Sequence, residues 1–266
     1  MTVETGSLAF IHTTHYSLLA NSMIRRFAAA CLITGSSLLS TYAQTPNTLS
    51  AQEKKAGWQL LFDGRDLKGW HRYNGKGTPT SWKVEQGALH LDVPKTPGAT
   101  SRDAGDILTD TPVAGDFEFK ADFKLERYTN SGVFFFVQES AKYPKIFDTA
   151  LEVQIGDDDL YQRDVKLPHP HNSGDLFAIA DARIKEPKPL GEWNQLEVTM
   201  RKNKLVVTVN GYTVQEHDLT SADWKRRVAG SKLSKAPLAS GKFNGRIGLQ
   251  DWNTSVWFRN IKLRNL

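Results

Sequence analysis

The stretch QLEVTMRKNKLVVTVNGYTVQEHDL, residues 195–219, divides into three runs separated by two short polar breaks. Leu196, Val198 and Met200 alternate with polar neighbours, and Leu205, Val207 and Val209 keep the same period. A period of two belongs to a strand with one buried face, whereas a helix repeats near 3.6. The breaks are Lys202-Asn203-Lys204 and Asn210-Gly211. Asn-Gly is the strongest two-residue hairpin signal, because both central positions of such a turn need φ > 0. The stretch therefore predicts three consecutive antiparallel strands.

The same texture extends outward from there. FEFKADFKL (117–125) sets Phe117, Phe119, Ala121 and Phe123 against Glu118, Lys120, Asp122 and Lys124. SGVFFFVQES (131–140) sets Val133, Phe135 and Val137 against Phe134, Phe136 and Gln138; apolar on both faces, it predicts a covered, central strand. GRIGLQDW (245–252) and VWFRNIKLRNL (256–266) supply a final pair. One short helix is expected over Ser221–Ala229, with Ser221 as N-cap and Trp224 and Val228 on one face. There is neither βαβ alternation nor an internal repeat, so the fold class is an all-β sandwich. The 266 residues, with seven Trp and thirteen Phe, can fill one substantial core.

The N-terminus has a different texture. In MIRRFAAACLITGSSLLSTYAQ (23–44), Arg25 and Arg26 precede an apolar run, and Thr41 and Ala43 offer small residues for cleavage. This reads as a secretory signal peptide over 23–43, too short and too rich in Ser and Gly to span a membrane. Residues 1–22 contain no Lys or Arg and read as an upstream extension or a long n-region. Residues 44–56 form a polar linker or lead-in to a domain over 57–266. The expectation is an exported, periplasmic or extracellular protein with no transmembrane segment in its mature chain. Cys31, the single cysteine, falls inside the signal segment, so neither disulfide nor thiol chemistry is expected downstream. The net charge of +5 is dispersed apart from Lys225-Arg226-Arg227, which argues against a nucleic-acid surface.

The candidate site residues begin at ALEVQIGDDD (150–159). Leu151, Val153 and Ile155 take one face, so Glu152 and Gln154 share the other. That pair is either solvated decoration or the wall of a sugar site. Gly248 and Gln250 share a face opposite Ile247 and Leu249, and Gly248 is expected to leave room for a sugar ring. Asp251 follows, either at the rim of a site or opening a turn with Asn253. Trp252 is either a core or edge residue or a stacking surface for a sugar. His171, in HPHNSGD, titrates near neutrality; it and His169, with Asp157 to Asp159, could also ligate a metal. Neither HExxH, an EF-hand pattern nor paired cysteines are present, so a divalent metal remains only a possibility, with Glu152 the first candidate ligand. Asn130 opens a strand and Lys232 is available for an anionic or hydroxyl group.

The motifs LFDG (61–64), GDILTD (105–110), NSGVFF (130–135), LEVQIGD (151–157), HNSGDLF (171–177), GEWN (191–194), VNG (209–211), SKL (231–233) and GLQDWNTSVWFRNI (248–261) occur in this order. Together they resemble the bacterial 3-keto-disaccharide hydrolase family, also described as a 3-keto-glucoside 1,2-lyase/3-keto-2-hydroxy-glucal hydratase domain. The resemblance implies a concanavalin A-like jelly roll of two curved antiparallel sheets, with the site on a concave face. It implies a glycoside or disaccharide substrate already oxidised at C3 by a separate dehydrogenase. A C3 ketone acidifies the C2 proton, so the C1 substituent can leave by β-elimination and water can add back. Such chemistry needs a base near C2, an acid near the leaving oxygen, and a group stabilising the enolate. The catalytic candidates are Glu152, His171 and Asp251; the substrate-binding candidates are Gln154, Gln250, Trp252, Asn130 and Lys232. The family commonly carries His where this chain has Trp252, so any acid–base role of that His is lost or moved here.

Two other functions fit an all-β sandwich. A non-catalytic, lectin-like module would show aromatics on a shallow face, whereas an enzyme would gather its acids in a pocket. An ordinary retaining glucanase needs two carboxylates ~5–5.5 Å apart. Glucanases on this type of sandwich carry E-x-D-x-x-E on one strand; here Gln154 stands in place of the middle Asp.

Overall fold

The computed structural model describes residues 44–94, 103–157, 172–183 and 187–266. The segment 23–43 expected to be a signal peptide, the stretch 1–22, Cys31, His169 and His171 lie outside the described residues. No helix among the described residues is long and apolar enough to cross a membrane.

Among the described residues fourteen strands form two sheets. The eight-stranded sheet contains β1 (Gln59–Leu60), β3 (Trp82–Glu85), β4 (Ala88–Leu91), β7 (Phe117–Leu125), β10 (Trp193–Arg201), β11 (Lys204–Val209), β12 (Tyr212–Asp218) and β14 (Val256–Asn265). Its order is β12-β11-β10-β7-β14-β4-β3, with β1 beside β14. The six-stranded sheet contains β2 (Trp70–Arg72), β5 (Ile107–Thr109), β6 (Val113–Ala114), β8 (Asn130–Val137), β9 (Leu151–Gly156) and β13 (Asn244–Leu249). Its order is β2-β5-β13-β8-β9, with β6 beside β13. Every described strand pairing is antiparallel. The all-β sandwich is the observed architecture.

The predicted meander is present as β10, β11 and β12, and both turns take φ > 0 at two successive residues, Lys202-Asn203 and Asn210-Gly211. Alternation on β7 holds over its full length, with Phe117, Phe119, Ala121, Phe123 and Leu125 buried in the core. Facing them are Val133, Phe135, Leu151, Val153, Ile155, Ile247 and Leu249. Burying a side chain of this size is worth about 1.5–3 kcal/mol, so this layer holds the sheets together.

Two bulges override simple alternation. On β8, Val137 was expected on the same face as Phe135, but Phe136 takes φ 64° and the register with β13 shifts there. Phe136 therefore joins Phe135 in the core, and Val137 turns to the opposite face with Phe134. On β14, Asn260 takes φ 52°, and the register with β7 shifts between Arg259 and Lys262. Phe258 and Ile261 can then both point inward.

The polar lead-in is fastened to the sandwich. Ser50 caps α1 (Ala51–Lys55) in a reciprocal capping box with Glu53. Asn47 is buried and exchanges hydrogen bonds with the bulged Asn260, its backbone N–H donating to Oδ1 at 2.6 Å. The expected second helix is α2 (Ala222–Ala229), capped by Ser221, with Trp224 and Val228 buried.

The face of the six-stranded sheet turned away from the core is also covered. There Leu108, Phe134 and Val137 pack with Tyr73, Ile146 and Ala150 in a second apolar cluster, and Phe147 lies against it. Gly248 sits under this cluster: a Cβ there would lie 2.8 Å from both Ile146 Cδ1 and Leu108 Cδ2. The space expected for a sugar ring is thus filled by apolar side chains.

Candidate functional site

Beyond that cluster the same face opens into a pocket of about 200 Å³. Asn130, Glu152, Gln154 and Gln250 form its polar part; Phe147, Phe177 and Trp252, with the stem of Lys232, form the rest. Its volume suits one sugar ring better than a long chain, since drug-sized ligands occupy ~300–1,000 Å³.

Glu152 and Gln154 do share the face opposite Leu151, Val153 and Ile155, but they are not solvated: only 3% and 1% of their surfaces are exposed. Gly132 on β8 makes this possible. It stands opposite Gln154, and a Cβ on it would lie 2.7 Å from Glu152 Oε1 and 2.8 Å from Cγ. The Glu152 side chain thus lies across the bare glycine. There it accepts a hydrogen bond from Gln250 Nε2 at 3.0 Å. Gln250 follows β13, two strands away from β9, a span of about 10 Å at the usual strand spacing. Without a glycine between them, the two side chains could not meet.

Gln154 donates from Nε2 to Asn130 Oδ1 at 2.8 Å and to the Ser131 carbonyl at 2.9 Å. The Oε1 atoms of Gln154 and Gln250 are buried with no hydrogen-bond partner. An unpartnered buried acceptor costs roughly 1–3 kcal/mol. Two of them on one pocket are suited to a ligand that brings hydroxyl donors.

Loops deliver the remaining wall. The segment around Gly174–Phe177 pairs with the free edge of β9, with Phe177 N–H donating to the Glu152 carbonyl at 3.1 Å. Buried Asp175 holds this loop by accepting from the N–H groups of Asn172 (2.9 Å) and Ala182 (2.6 Å). Phe147 comes from the 3₁₀ turn Ile146–Asp148, anchored by buried Ile146. Lys232 opens the 3₁₀ turn Lys232–Lys235, which Ser231 caps and Leu233 anchors in the core. Its Nζ lies 3.7 Å from the Phe177 ring centroid and 4.7 Å from that of Phe147. Trp252 stands half-exposed at the rim, edge-on to Phe147 with centroids 6.0 Å apart.

The electrostatics follow from enclosure. Burial, reinforced by the neighbouring Asp106, pushes the Glu152 carboxyl up to about 8, against the opposing influence of Lys232 and Gln250. Burial also pulls Lys232 below the ordinary lysine range, although Glu152 and Asp148 oppose this. Asp106 is raised to about 7, chiefly by burial; the Asp251 N–H donates to it at 2.9 Å and opposes the rise. A perturbed acid and a perturbed amine lining one cleft are the expected signature of an active site.

Of the expected site residues, Glu152, Gln154, Gln250, Trp252, Asn130 and Lys232 meet in this pocket. Asp251 is not among the side chains lining it. Its Oδ2 accepts from Gly105 N–H at 2.9 Å and Ser81 Oγ at 3.2 Å, and its Oδ1 from Asn253 N–H at 2.9 Å. Asp251 thus braces three loops, and its turn with Asn253 is present. His171 lies outside the described residues. Among the described residues no group of three or more His, Cys, Asp or Glu could hold a metal ion. Sequence reasoning missed Asp106, Gly132, Phe147 and Phe177. Three of these sit within the ordered motifs, where only their recurrence marked them.

A pocket with one buried acid, an amine at its wall, amide acceptors and an aromatic rim belongs to the carbohydrate-active sandwiches. The sequence model of the 3-keto-alpha-glucoside-1,2-lyase-like domain matches residues 57–264, and the chain belongs to this family. A 3-keto-disaccharide hydrolase of Bacteroides thetaiotaomicron is 31% identical over 230 residues, covering 79% of each chain. A crystal structure from Parabacteroides distasonis, provisionally described as a glycosyl hydrolase, superposes with a TM-score of 0.71 at 30% identity. That match covers 84% of this chain and 100% of the other. A second Parabacteroides distasonis structure, with TM-score 0.59 and 24% identity, covers 79% and 99% and supports the fold alone.

Proposed function

We propose that this carbohydrate-active enzyme cleaves glycosides or disaccharides whose sugar ring carries a ketone at C3. The reaction is removal of the C2 proton, β-elimination of the C1 substituent and addition of water. The observation that carries the reading is Glu152: a carboxyl lying over Gly132, tied to Gln250 and raised to about 8. A base poised near the working pH both accepts a carbon-bound proton and returns it. An acetal hydrolase of the retaining type would need a second carboxylate lining the same pocket. Among the described residues Glu152 is the one acid lining the pocket, and Asp106, the neighbouring acid that raises it, is not among the lining side chains.

Gln154 and Gln250 accept from sugar hydroxyls through their free Oε1 atoms, and Asn130 fixes the Gln154 amide. Trp252 stacks on the departing group at the rim. A separate dehydrogenase installs the ketone beforehand, as the family resemblance implies. Export through the Arg25-Arg26 leader belongs to the same proposal. A lectin-like role is the competing reading, favoured by the half-exposed Trp252.

The test is incubation with a 3-keto-glucoside and with its unoxidised parent. Cleavage of the keto form alone is expected. Equal hydrolysis of the parent would sink the elimination mechanism, and binding of both without turnover would establish the lectin-like reading.

A further inference from the structure

Elimination from a 3-keto sugar needs somewhere for the electrons of the C2–H bond to go. Gln154 commits both amide hydrogens to Asn130 and Ser131, and Gln250 directs its amide nitrogen at Glu152. What each leaves without a partner is a buried oxygen, which is the wrong polarity for an enolate. Lys232 faces the same pocket. Among the described residues it makes no ion pair, and its nitrogen rests on two phenyl faces.

We infer that Lys232 is a covalent catalyst that condenses with the substrate's C3 ketone to form a protonated Schiff base; the inference rests on the 3-keto reading of this pocket. The amine nitrogen adds to C3 and water leaves, giving an iminium ion. Glu152 takes the C2 proton, and the C2–H electron pair moves into the C2–C3 bond as the C3=N π pair moves to nitrogen, giving an enamine. The enamine expels the C1 substituent, which leaves with a proton. Water adds at C1, C2 regains its proton, and a second water hydrolyses the iminium, freeing the lysine and the 3-keto sugar. No oxidant or reductant is consumed.

Three features favour this over an ammonium that only hydrogen-bonds the ketone. The iminium is a cation in the place of a cation, so the phenyl faces that hold the ammonium hold the intermediate equally well. Phe147, Phe177 and Trp252 line the pocket beside the amine and give the sugar apolar faces to pack on as the nitrogen meets C3. Burial lowers the amine's proton affinity, the usual means of making a lysine nucleophilic.

The test is turnover of methyl 3-keto-glucoside in the presence of cyanoborohydride, which reduces iminium ions in preference to ketones, followed by intact-mass and peptide analysis. The expected result is progressive inactivation, with one sugar-derived adduct located at Lys232. Cleavage with no adduct at Lys232, or with adducts scattered over other lysines, would overturn the Schiff base and leave the elimination reading standing. Absence of both cleavage and adduct would overturn the two together. Lys232→Arg keeps the charge but cannot condense, so it is expected to lose turnover; full activity would contradict the proposal. Lys232→Cys treated with bromoethylamine regains an amine at that place and is expected to recover activity. The wild type taken through the same treatment is the control. Failure of a folded, fully aminoethylated Lys232→Cys protein to recover would also count against the proposal.

Discussion

The outward faces of the two sheets carry polar residues under opposite rules. On the eight-stranded sheet, Glu118, Lys120 and Asp122 of β7 are matched by partners on neighbouring strands. Arg264 Nε donates to Glu118 at 3.0 Å, Lys120 to Glu197 at 3.0 Å, and Arg259 Nε to Asp122 at 3.1 Å. Lys124 and Arg259 lie over the indoles of Trp257 and Trp193, and the charged groups keep contact with solvent. Over the six-stranded sheet Glu152 is enclosed, neither it nor Lys232 makes an ion pair among the described residues, and two amide oxygens have no partner. A groove of about 440 Å³ on the first face is larger than the 200 Å³ pocket on the second. Size is therefore the poorer guide. Unpartnered buried polar atoms occur on both faces, His90 Nε2 and Trp257 Nε1 on the first; what sets the second apart is a buried carboxyl beside them.

That contrast predicts a hierarchy of effects. Glu152→Gln should lower turnover by about 10²–10⁴-fold, the usual contribution of a general acid–base group. The same variant should be more stable than wild type at alkaline pH. The folded carboxyl titrates near 8 and the free one at 4.5, so between these values the folded chain retains a proton that the unfolded chain has released. Stability contributed by the neutral form is then lost as pH rises through that window. Thermal midpoints should separate most above the folded pKa and converge in acid. A variant less stable than wild type at every pH would contradict the burial argument.

Gly132→Ala comes next. The added methyl must displace the Glu152 carboxylate, and a misplacement of about 1 Å can cost ~10² in rate. Steady-state kinetics should show the loss in kcat with little change in KM; an unchanged kcat would mean that the carboxylate position is not critical. Trp252→Ala should act mainly on KM, by a few-fold, in keeping with the ~0.5–1.5 kcal/mol of an aromatic contact. Smallest of all, a double-mutant cycle on Arg264 and Glu118 should give under ~1 kcal/mol and no change in turnover, because the pair is partly exposed. A large activity effect there would erase the distinction between the faces.

How much of this was legible in the sequence depended on distance along the chain. Alternation alone placed Glu152 with Gln154, and Gly248 with Gln250, on faces opposite the core. It could not show that Gly132 lets Glu152 reach Gln250, because that contact crosses three strands, 98 residues apart in sequence at its ends. Parity failed where a bulge intervenes, at Phe136 and Asn260, since one extra residue reverses every later side chain. Asp251 looked like a site acid because it follows Gln250, yet the strand has ended there and its carboxylate turns to Ser81, Gly105 and Asn253. Phe147 and Phe177 arrive on irregular segments that carry no periodic signal. Gly248 illustrates the converse: a bare position on the correct face, filled by Ile146 and Leu108 from elsewhere.

The account stands on Glu152 moving a carbon-bound proton. Its most direct test is solvent-deuterium incorporation at C2 of a 3-keto-glucoside, followed by NMR with wild-type protein and with Glu152→Gln. Rapid exchange with the wild type and none above background with the variant is predicted. Cleavage by the wild type with C2 fully protonated throughout, or equal exchange by the variant, would contradict it.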